Sequence, residues 1–366
     1  MKSVQPTLKL LPTRAEMVRA QQAQDPSYDG VFWVAVRTTG IFCRPGCRPP
    51  RPPRPENVEF FGSISECVFA GYRPCKLCRP TDSTGGTPPE IAELLRQVEA
   101  RPGARFPASE LQALGLTPER VRRWFQEQHG MTFTAWCRAR RLSRAFTEIR
   151  DGADLDDVAL DSGFESHSGF REAFGQTFGQ PPGQVNLASP APLIVTFLET
   201  PLGRMLAAAN DVGVALLEFS DRRMLPANYE TLRRRFGVPI VPGQQAHLDT
   251  LRGELTDYFA GRLREFSVPL VPRGTAFQEK VWAELRRLPF GTTLSYDALA
   301  QRIHQPTALR AVARANGQNR LTLLIPCHRV IGKDGTLTGY GGGLWRKRLL
   351  LELERTGRLP GGLNPD

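Results

Sequence analysis

The chain offers a membrane nothing to hold. No stretch approaches the ~18 consecutive apolar residues that a bilayer-spanning helix needs. The N-terminal MKSVQPTLKLLPTRAEM also lacks the continuous apolar centre of a secretory leader. We therefore expect a cytoplasmic protein with no membrane partner. Cysteine is scarce, at seven in 366 residues. In a reducing compartment that argues against a disulfide framework and for thiols, metal ligands or nucleophiles. Internal repeats are missing as well. Between Arg101 and Arg144 there is no lysine at all, yet nine arginines stand against Glu110, Glu119 and Glu127. They belong to a chain with 48 Lys+Arg, 37 Asp+Glu and a formal charge of +11, an excess that favours a polyanionic partner over an acidic substrate.

A chain of this length exceeds one ordinary core, and roughly two or three domains are expected. A first block runs to about Arg79 and is closed by PTDSTGGTPPE, whose Gly, Pro, Ser and Thr read as a linker. A second block, from about Pro88 to Phe178, is mostly helical in pattern, with amphipathic segments at 89–99 and 118–129. It ends in GQPPGQVNLASPAP. The third block opens with three short apolar runs separated by Thr200-Pro-Leu-Gly203 and Asn210-Asp-Val-Gly213, which predicts a small antiparallel sheet with tight turns. After Thr275 the pattern turns helical, with Phe277, Val281, Leu285 and Leu288 on one face.

Cys43 and Cys47 flank three residues in GIFCRPGC, and twenty-seven residues separate them from Cys75 and Cys78. Both pairs lie in Pro/Gly/Arg-rich segments suited to turns, and two short knuckles joined by a longer loop predict a tetrahedral Zn2+ site. A thiolate is also a nucleophile, so the spacing leaves open whether Cys43 and Cys47 only bind. Cys67 fits neither knuckle, and Cys137 reads as a small core residue.

DDVALDSGFESHSGFREAFGQTFG predicts a helix ending at Ser162-Gly163, a turn, and a second helix from near Ser166 with Phe170, Phe174 and Phe178 facing inward. ELQALGLTPERVRRWFQEQHG repeats the layout, turning at Leu114-Gly115-Leu116 and reopening at Pro118. Two helix-turn-helix units joined by a helix near 135–149 would present two recognition helices to successive major grooves. The alternative is a helical bundle with no DNA role. His129 and His167 read as surface or capping residues. In LIPCHRVIGKDGTLTGYGGG an apolar run delivers Cys327 onto a turn before His328, a pairing able to activate a thiol, with carboxylate candidates in LLLELERTG.

TTGIFCRPGC with GYRPCKLC, the doubled helix-turn-helix layout, and SYDALA, RAVARANGQN and IPCHRVIG resemble, in this order and over nearly the whole chain, the Ada family of DNA alkylation-repair proteins that also activate transcription. IPCHRV is similar to the motif of O6-alkylguanine-DNA alkyltransferases, and the middle block to AraC-type regulators. The resemblance implies a multidomain α+β fold: a small four-cysteine zinc domain at 1–82, an all-α double helix-turn-helix domain at 88–185, an α/β subdomain at 192–272 and a helical, winged-helix-like alkyltransferase domain at 273–360.

It further implies that Cys327 irreversibly takes a methyl group from O6-methylguanine. His328 would deprotonate it through a water, Glu354 rather than Glu352 would orient the imidazole, and Asn319 would brace the turn. Tyr296 and Arg310 would turn out the target nucleotide and fill its place, since O6 of a stacked guanine cannot reach a buried thiol. Residues 311–316 would lie on the helix expected in the minor groove, and backbone groups near Cys327 and Val330 would read the base. By the same resemblance Cys43, Cys47, Cys75 and Cys78 hold one Zn2+, and Cys43 accepts a methyl group from a DNA methylphosphotriester. That removes one negative charge, strengthens DNA binding and switches the protein into a sequence-specific activator. Thr39, Arg48 and Arg73 match DNA-contacting positions, whereas Pro50 replaces a family arginine that Arg51 or Arg54 could supply. Double-stranded DNA and RNA polymerase are the implied partners. The main alternative is a zinc-containing DNA-binding regulator whose C-terminal half, or whose switch, no longer works, though Cys327, His328, Asn319, Glu354, Tyr296 and Arg310 are all present and argue against a degenerate C-terminal half; a cysteine hydrolase is disfavoured because no acyl pocket or oxyanion hole is recognisable.

Overall fold

The structure is a computed structural model that describes residues 11–81, 87–101, 103–164, 166–222 and 224–359. Residues 82–86 of the first expected linker, and Glu165 of the second inter-helix turn, lie outside the described residues. The N-terminal block is built on a sheet ordered Val58–Phe61, Trp33–Val36, Ile41–Cys43, Arg73–Pro74. The first three strands are antiparallel, and the last joins parallel with Phe42 opposite Pro74. Successive side chains of a strand point to opposite faces, so the central WVAV serves two small cores. Val34 and Val36 pack with Met17 and Ala20 of the helix Arg14–Ala23, while Trp33 and Ala35 pack with Phe42 and the buried Cys67.

The middle block contains the helices Pro89–Ala100, Ala108–Ala113, Pro118–His129, Phe133–Arg150, Leu155–Asp161 and His167–Phe178. Thr117 and Ser166 cap the two candidate recognition helices through side-chain oxygens that accept from the amides of Arg120 and Gly169. Gly163 turns the chain between helices at φ +67°, where an added Cβ would also press on the Gly103 carbonyl. Phe170, Phe174 and Phe178 are buried as expected, each contributing about 2 kcal/mol. The first unit packs around Ile91, Leu94, Phe125 and Cys137. The second shares one continuous core with the third block through Leu142, Phe146 and Ile149 of the long helix.

In the third block the sheet order is Val214–Phe219, Met205–Ala209, Leu193–Leu198, Ile240–Pro242. The three expected strands are antiparallel, but Ile240–Pro242 adds a parallel edge, making the sheet mixed. That fourth strand is a three-residue apolar run after the helix Leu225–Phe236, too short to carry a periodic signal. The sheet is covered on both faces: Leu206 and Ala208 face Leu232, whereas Met205, Ala207 and Ala209 belong to the main core. Beyond it lie the helices Ala276–Arg286, Tyr296–Arg302, Leu309–Gly317 and Leu344–Thr356. The first is secured by a Thr275–Gln278 capping box and buries Val281, Trp282 and Leu285.

His167 stays at the surface beside Asp156, at 3.4 Å. His129 does not. Its ring stacks on Phe125 and meets Trp124, Trp136 and, from the third block, Phe197. The surface reading fails because the end of its helix abuts the strand Leu193–Leu198, a contact between distant segments. Arg204 fills the same seam, over the rings of Phe197 and Trp124. Burial, assisted by Arg204 and Arg140, pushes the His129 imidazole down to about 3. Between that value and the ordinary pKa of roughly 6.5 the unfolded chain binds a proton that the folded one refuses, so this residue costs stability as pH falls through that window. Replacing it by phenylalanine should raise the melting temperature relative to wild type by a margin that widens from pH 7 to pH 4. Melting curves that stay parallel across that range would rule the effect out.

Candidate active sites

The strand pairing that sets Phe42 opposite Pro74 leaves Cys43 and Cys75 at adjacent strand ends, where each chain enters its knuckle. Cys75 is tied in by its amide, which donates to the Phe42 carbonyl at 3.0 Å. The Sγ atoms of Cys43, Cys47, Cys75 and Cys78 all lie within 4.8 Å of one another. Tetrahedral coordination at ~2.3 Å sets sulfurs about 3.8 Å apart, so four convergent thiols fit one Zn2+. The Arg44 amide donates to Cys78 Sγ at 3.4 Å, and Asp29 Oδ1 accepts from the Gly46 amide at 2.7 Å inside the first knuckle. Such outer contacts fix the ligands, and Asp29 carried no signal in the sequence because it lies outside both knuckles. Beside Cys43 opens a cavity of about 170 Å³ lined by Val34, Val36, Ile41 and Pro52. Thr39 and Arg51 also line it, and Arg48, Pro50, Arg54 and Arg73 are exposed.

The second centre is built by Asn319. Its amide donates to the Ile325 carbonyl at 2.8 Å and to Cys327 Sγ at 3.2 Å, while its own oxygen accepts from the Leu321 amide at 2.9 Å. One side chain thus closes the apolar loop 321–325 and grips the sulfur it delivers. Arg222 supports it, donating to the Asn319 carbonyl at 3.1 Å and pairing with the buried Glu218. Cys327 opens the single helical turn Cys327–Arg329, after which Val330–Ile331 pairs with Leu294–Ser295. That pairing brings Tyr296, the next residue, beside the thiol. The Asn316 amide reaches the Tyr296 hydroxyl at 3.5 Å and the Cys327 carbonyl at 3.4 Å.

His328 is fully buried. Its Nε2 lies 2.8 Å from Glu354 Oε1, and its Nδ1 has no hydrogen-bond partner among the described residues. Glu354 also accepts from Tyr258 Oη at 2.8 Å, from the Arg329 guanidinium at 2.8 and 2.9 Å, and from the Gly291 amide at 3.1 Å. Burial alone would raise the carboxyl, but His328 and Arg329 outweigh it and hold Glu354 well below the usual carboxylate range. An ionised Glu354 can only accept, so Nε2 carries the proton and Nδ1 keeps the basic lone pair. Burial pushes the imidazole pKa down against the pull of Glu354, leaving the ring neutral. Burial likewise pushes the Cys327 thiol up, opposed by Asn319, Arg222 and Lys347.

Of the expected residues, Cys327, His328, Asn319, Glu354 and Tyr296 come together here. Glu352 instead pairs with Arg355, away from the site. Arg310 is exposed on the helix Leu309–Gly317 beside Ala311, Ala313 and Arg314. On the same helix the 3.6-residue period turns Val312, Ala315 and Asn316 inward, and Asn316 meets the thiol loop. Val330 is buried, and its carbonyl accepts from Lys347 Nζ at 2.5 Å, so that oxygen is already engaged. Lys347 also donates to the Thr338 carbonyl at 2.6 Å, and burial pushes its pKa down to about 8. Sequence reasoning assigned no role to Arg329, Lys347 or Tyr258. Lys347 was findable, because with Leu350 and Glu354 it falls at i, i+3 and i+7 on one helix face. Tyr258, 96 residues from its partner, was not.

Three family descriptions match in succession: the metal binding domain of Ada over residues 16–81, a helix-turn-helix domain over 111–187, and the DNA binding domain of 6-O-methylguanine DNA methyltransferase over 276–356. The bifunctional transcriptional activator/DNA repair enzyme Ada of Escherichia coli is 36% identical over 341 residues, covering 91% of this chain and 94% of its own. A methylated-DNA–protein-cysteine methyltransferase of Mycobacterium bovis is 44% identical over 166 residues, covering 45% of this chain and 94% of its own. The Mycobacterium tuberculosis OGT crystallised with DNA is 37% identical and covers 46% of this chain and 98% of its own, with a TM-score of 0.40. With the matched domains in that order and more than nine-tenths of both chains aligned, this chain belongs to the Ada family of bifunctional transcriptional activators and DNA repair enzymes.

Proposed function

We propose that the protein repairs alkylated double-stranded DNA by two irreversible methyl transfers, one to Cys327 and one to Cys43, and that the second turns it into an activator of transcription. The observation that carries the first transfer is the His328 ring. Its Nε2 is locked to an ionised Glu354, while its buried Nδ1 stays unpaired beside a turn that presents a thiol. A neutral imidazole with a free Nδ1 is a general base, and a buried thiol with a raised pKa needs one. His328 takes the Cys327 proton through water, and Sγ attacks the methyl carbon of O6-methylguanine. The S–C bond forms as the O6–C bond breaks, and the guanine regains a proton. Asn319 holds the sulfur, Tyr296 and Arg310 handle the flipped nucleotide and the gap it leaves, and the backbone at Cys327 and Val330 reads the base.

Zn2+ held by Cys43, Cys47, Cys75 and Cys78 keeps the sulfurs as thiolates and offsets part of their charge. Cys43, at the mouth of the apolar cavity, attacks the methyl carbon of a phosphotriester held by Thr39, Arg48 and Arg73, and the phosphate leaves as a diester. Arg51 and Arg54, both exposed near Pro50, are the candidates to replace the missing arginine. Methylation removes one negative charge facing the phosphates, which strengthens binding by the paired helix-turn-helix units. RNA polymerase is the partner at the promoter, and the cytoplasm is the compartment. We assign acceptance from phosphotriesters to 1–82, promoter binding to 88–185, and alkylguanine repair to 192–272 with 273–360.

Peptide mapping after incubation with tritiated O6-methylguanine DNA should place label on Cys327. Methylphosphotriester DNA should label Cys43. Cys327→Ser should lose only the first transfer and Cys43→Ser only the second, whereas transfer by the double variant would remove the reading. Glu354→Gln should slow transfer to Cys327 by roughly 10²-fold, because the imidazole loses the anion that stabilises its protonated form. It should also cost about 3 kcal/mol in denaturant unfolding, since Arg329 is left buried without its counter-charge. Wild-type rates in that variant would exclude His328 as the base.

A further inference from the structure

The two acceptor centres are physically joined. The short turn Pro26–Tyr28 of the N-terminal block touches the zinc knuckle on one side: an added Cβ on Gly46 would strike Pro26, and neighbouring Asp29 holds the Gly46 amide. On its other side the turn touches the helix Leu344–Thr356. The Ser27 carbonyl accepts from Trp345 Nε1 at 2.8 Å, and Ser27 Oγ lies 2.5 Å from where a Cβ on Gly343 would stand. Gly343 also sits at φ +91°, so glycine is required there twice over. Glu16 completes the contact. It is buried, accepts from Tyr28 Oη at 2.8 Å, and is paired with Arg348. Trp345 packs among Met17, Ala20, Tyr28 and Phe32, the inner core of the N-terminal block.

The same helix carries groups of the Cys327 centre. Trp345 and Arg348 face the zinc block. Lys347, between them, ties down the carbonyls of Val330 and Thr338, and Glu354 near its end holds His328. The loop that Gly343 ends includes Gly339, whose carbonyl accepts from Tyr296 Oη at 3.4 Å, and Tyr340, whose ring meets that of His328 edge-on at 6.5 Å. We infer that the zinc block is a docked positioning element of the alkylguanine centre: through Ser27 and Glu16 it fixes the first turn of the helix Leu344–Thr356, and with it Lys347 and the Tyr340 loop around Cys327. Trp345 and Arg348 are the positioning residues on the receiving side. Displacing this turn leaves the Cys327, His328, Asn319 set intact but loosens the carbonyls and rings around it, and transfer demands placement within a fraction of an ångström.

This inference rests on Cys327 as the acceptor, and the full-length wild-type protein tests that premise in the same experiment. Single-turnover transfer from O6-methylguanine in a short duplex is measured at saturating DNA for wild type, Arg348→Glu, Glu16→Arg, the swap of both, and Ser27→Trp, which cannot fit against Gly343. Both charge reversals and Ser27→Trp should slow transfer about ten-fold, with the half-saturating DNA concentration unchanged. The swap should restore the rate to within about two-fold of wild type, as for a directly coupled pair. Transfer from methylphosphotriester DNA to Cys43 in Arg348→Glu should persist, reporting a folded zinc block. Unchanged rates in Arg348→Glu and Ser27→Trp, or reversals that slow transfer without rescue by the swap, would overturn the inference. A wild-type protein that fails to label Cys327 at all would instead overturn the proposed repair function.

Discussion

The buried carboxylate of Glu354 is the constraint on which the alkylguanine centre depends. Five donors from three parts of the chain converge on it: Tyr258, Gly291, and the neighbours His328 and Arg329, the last through two nitrogens. A charge taken out of water at this depth is costly unless it is paired and fully hydrogen-bonded, and here both conditions are met. Its ionisation sets the His328 tautomer, which sets which nitrogen is basic, and in the proposed reaction that nitrogen takes the proton of the buried thiol. The site is therefore assembled from its anion outward, with the thiol last.

The zinc centre follows another logic. Its four sulfurs come from two turns anchored at the ends of neighbouring strands, so a two-residue pairing between Ile41–Cys43 and Arg73–Pro74 decides whether the ligands converge. Little core stands behind it, only two small clusters on either side of one strand, and a structural metal supplies what a block of this size cannot gain from burial alone. Arg48, Arg51, Arg54 and Arg73 are exposed on this block, suiting a partner that is a chain of phosphates.

The blocks also meet one another at specific seams rather than merely following in series. His129 and Arg204 fill one between the first helix-turn-helix unit and the third-block sheet, and Glu16, Ser27 and Trp345 form another between the zinc block and the last helix. Of these groups only His129 carried a reading in the sequence, as a surface or capping residue; Arg204, Glu16, Ser27 and Trp345 carried none. Such packed contacts are one physical route by which a change in one block can be felt in another.

Much was legible from the residues alone. The knuckle spacing, the two capped helix-turn-helix layouts, the tight turns of the third-block sheet and the thiol beside an imidazole are all local signals, written within a few dozen residues and enforced by turn chemistry and helical period. Even the inward turn of Asn316 is implicit in that period across RAVARANG. What only the tertiary structure decided is which distant groups share a low-dielectric space: Tyr258 with Glu354, His129 with Phe197, Arg348 with Glu16, and the short strand Ile240–Pro242 beside Leu193. Sequence periodicity records which face of an element is buried. It does not record what is buried against that face, because that partner is chosen by packing across the whole chain.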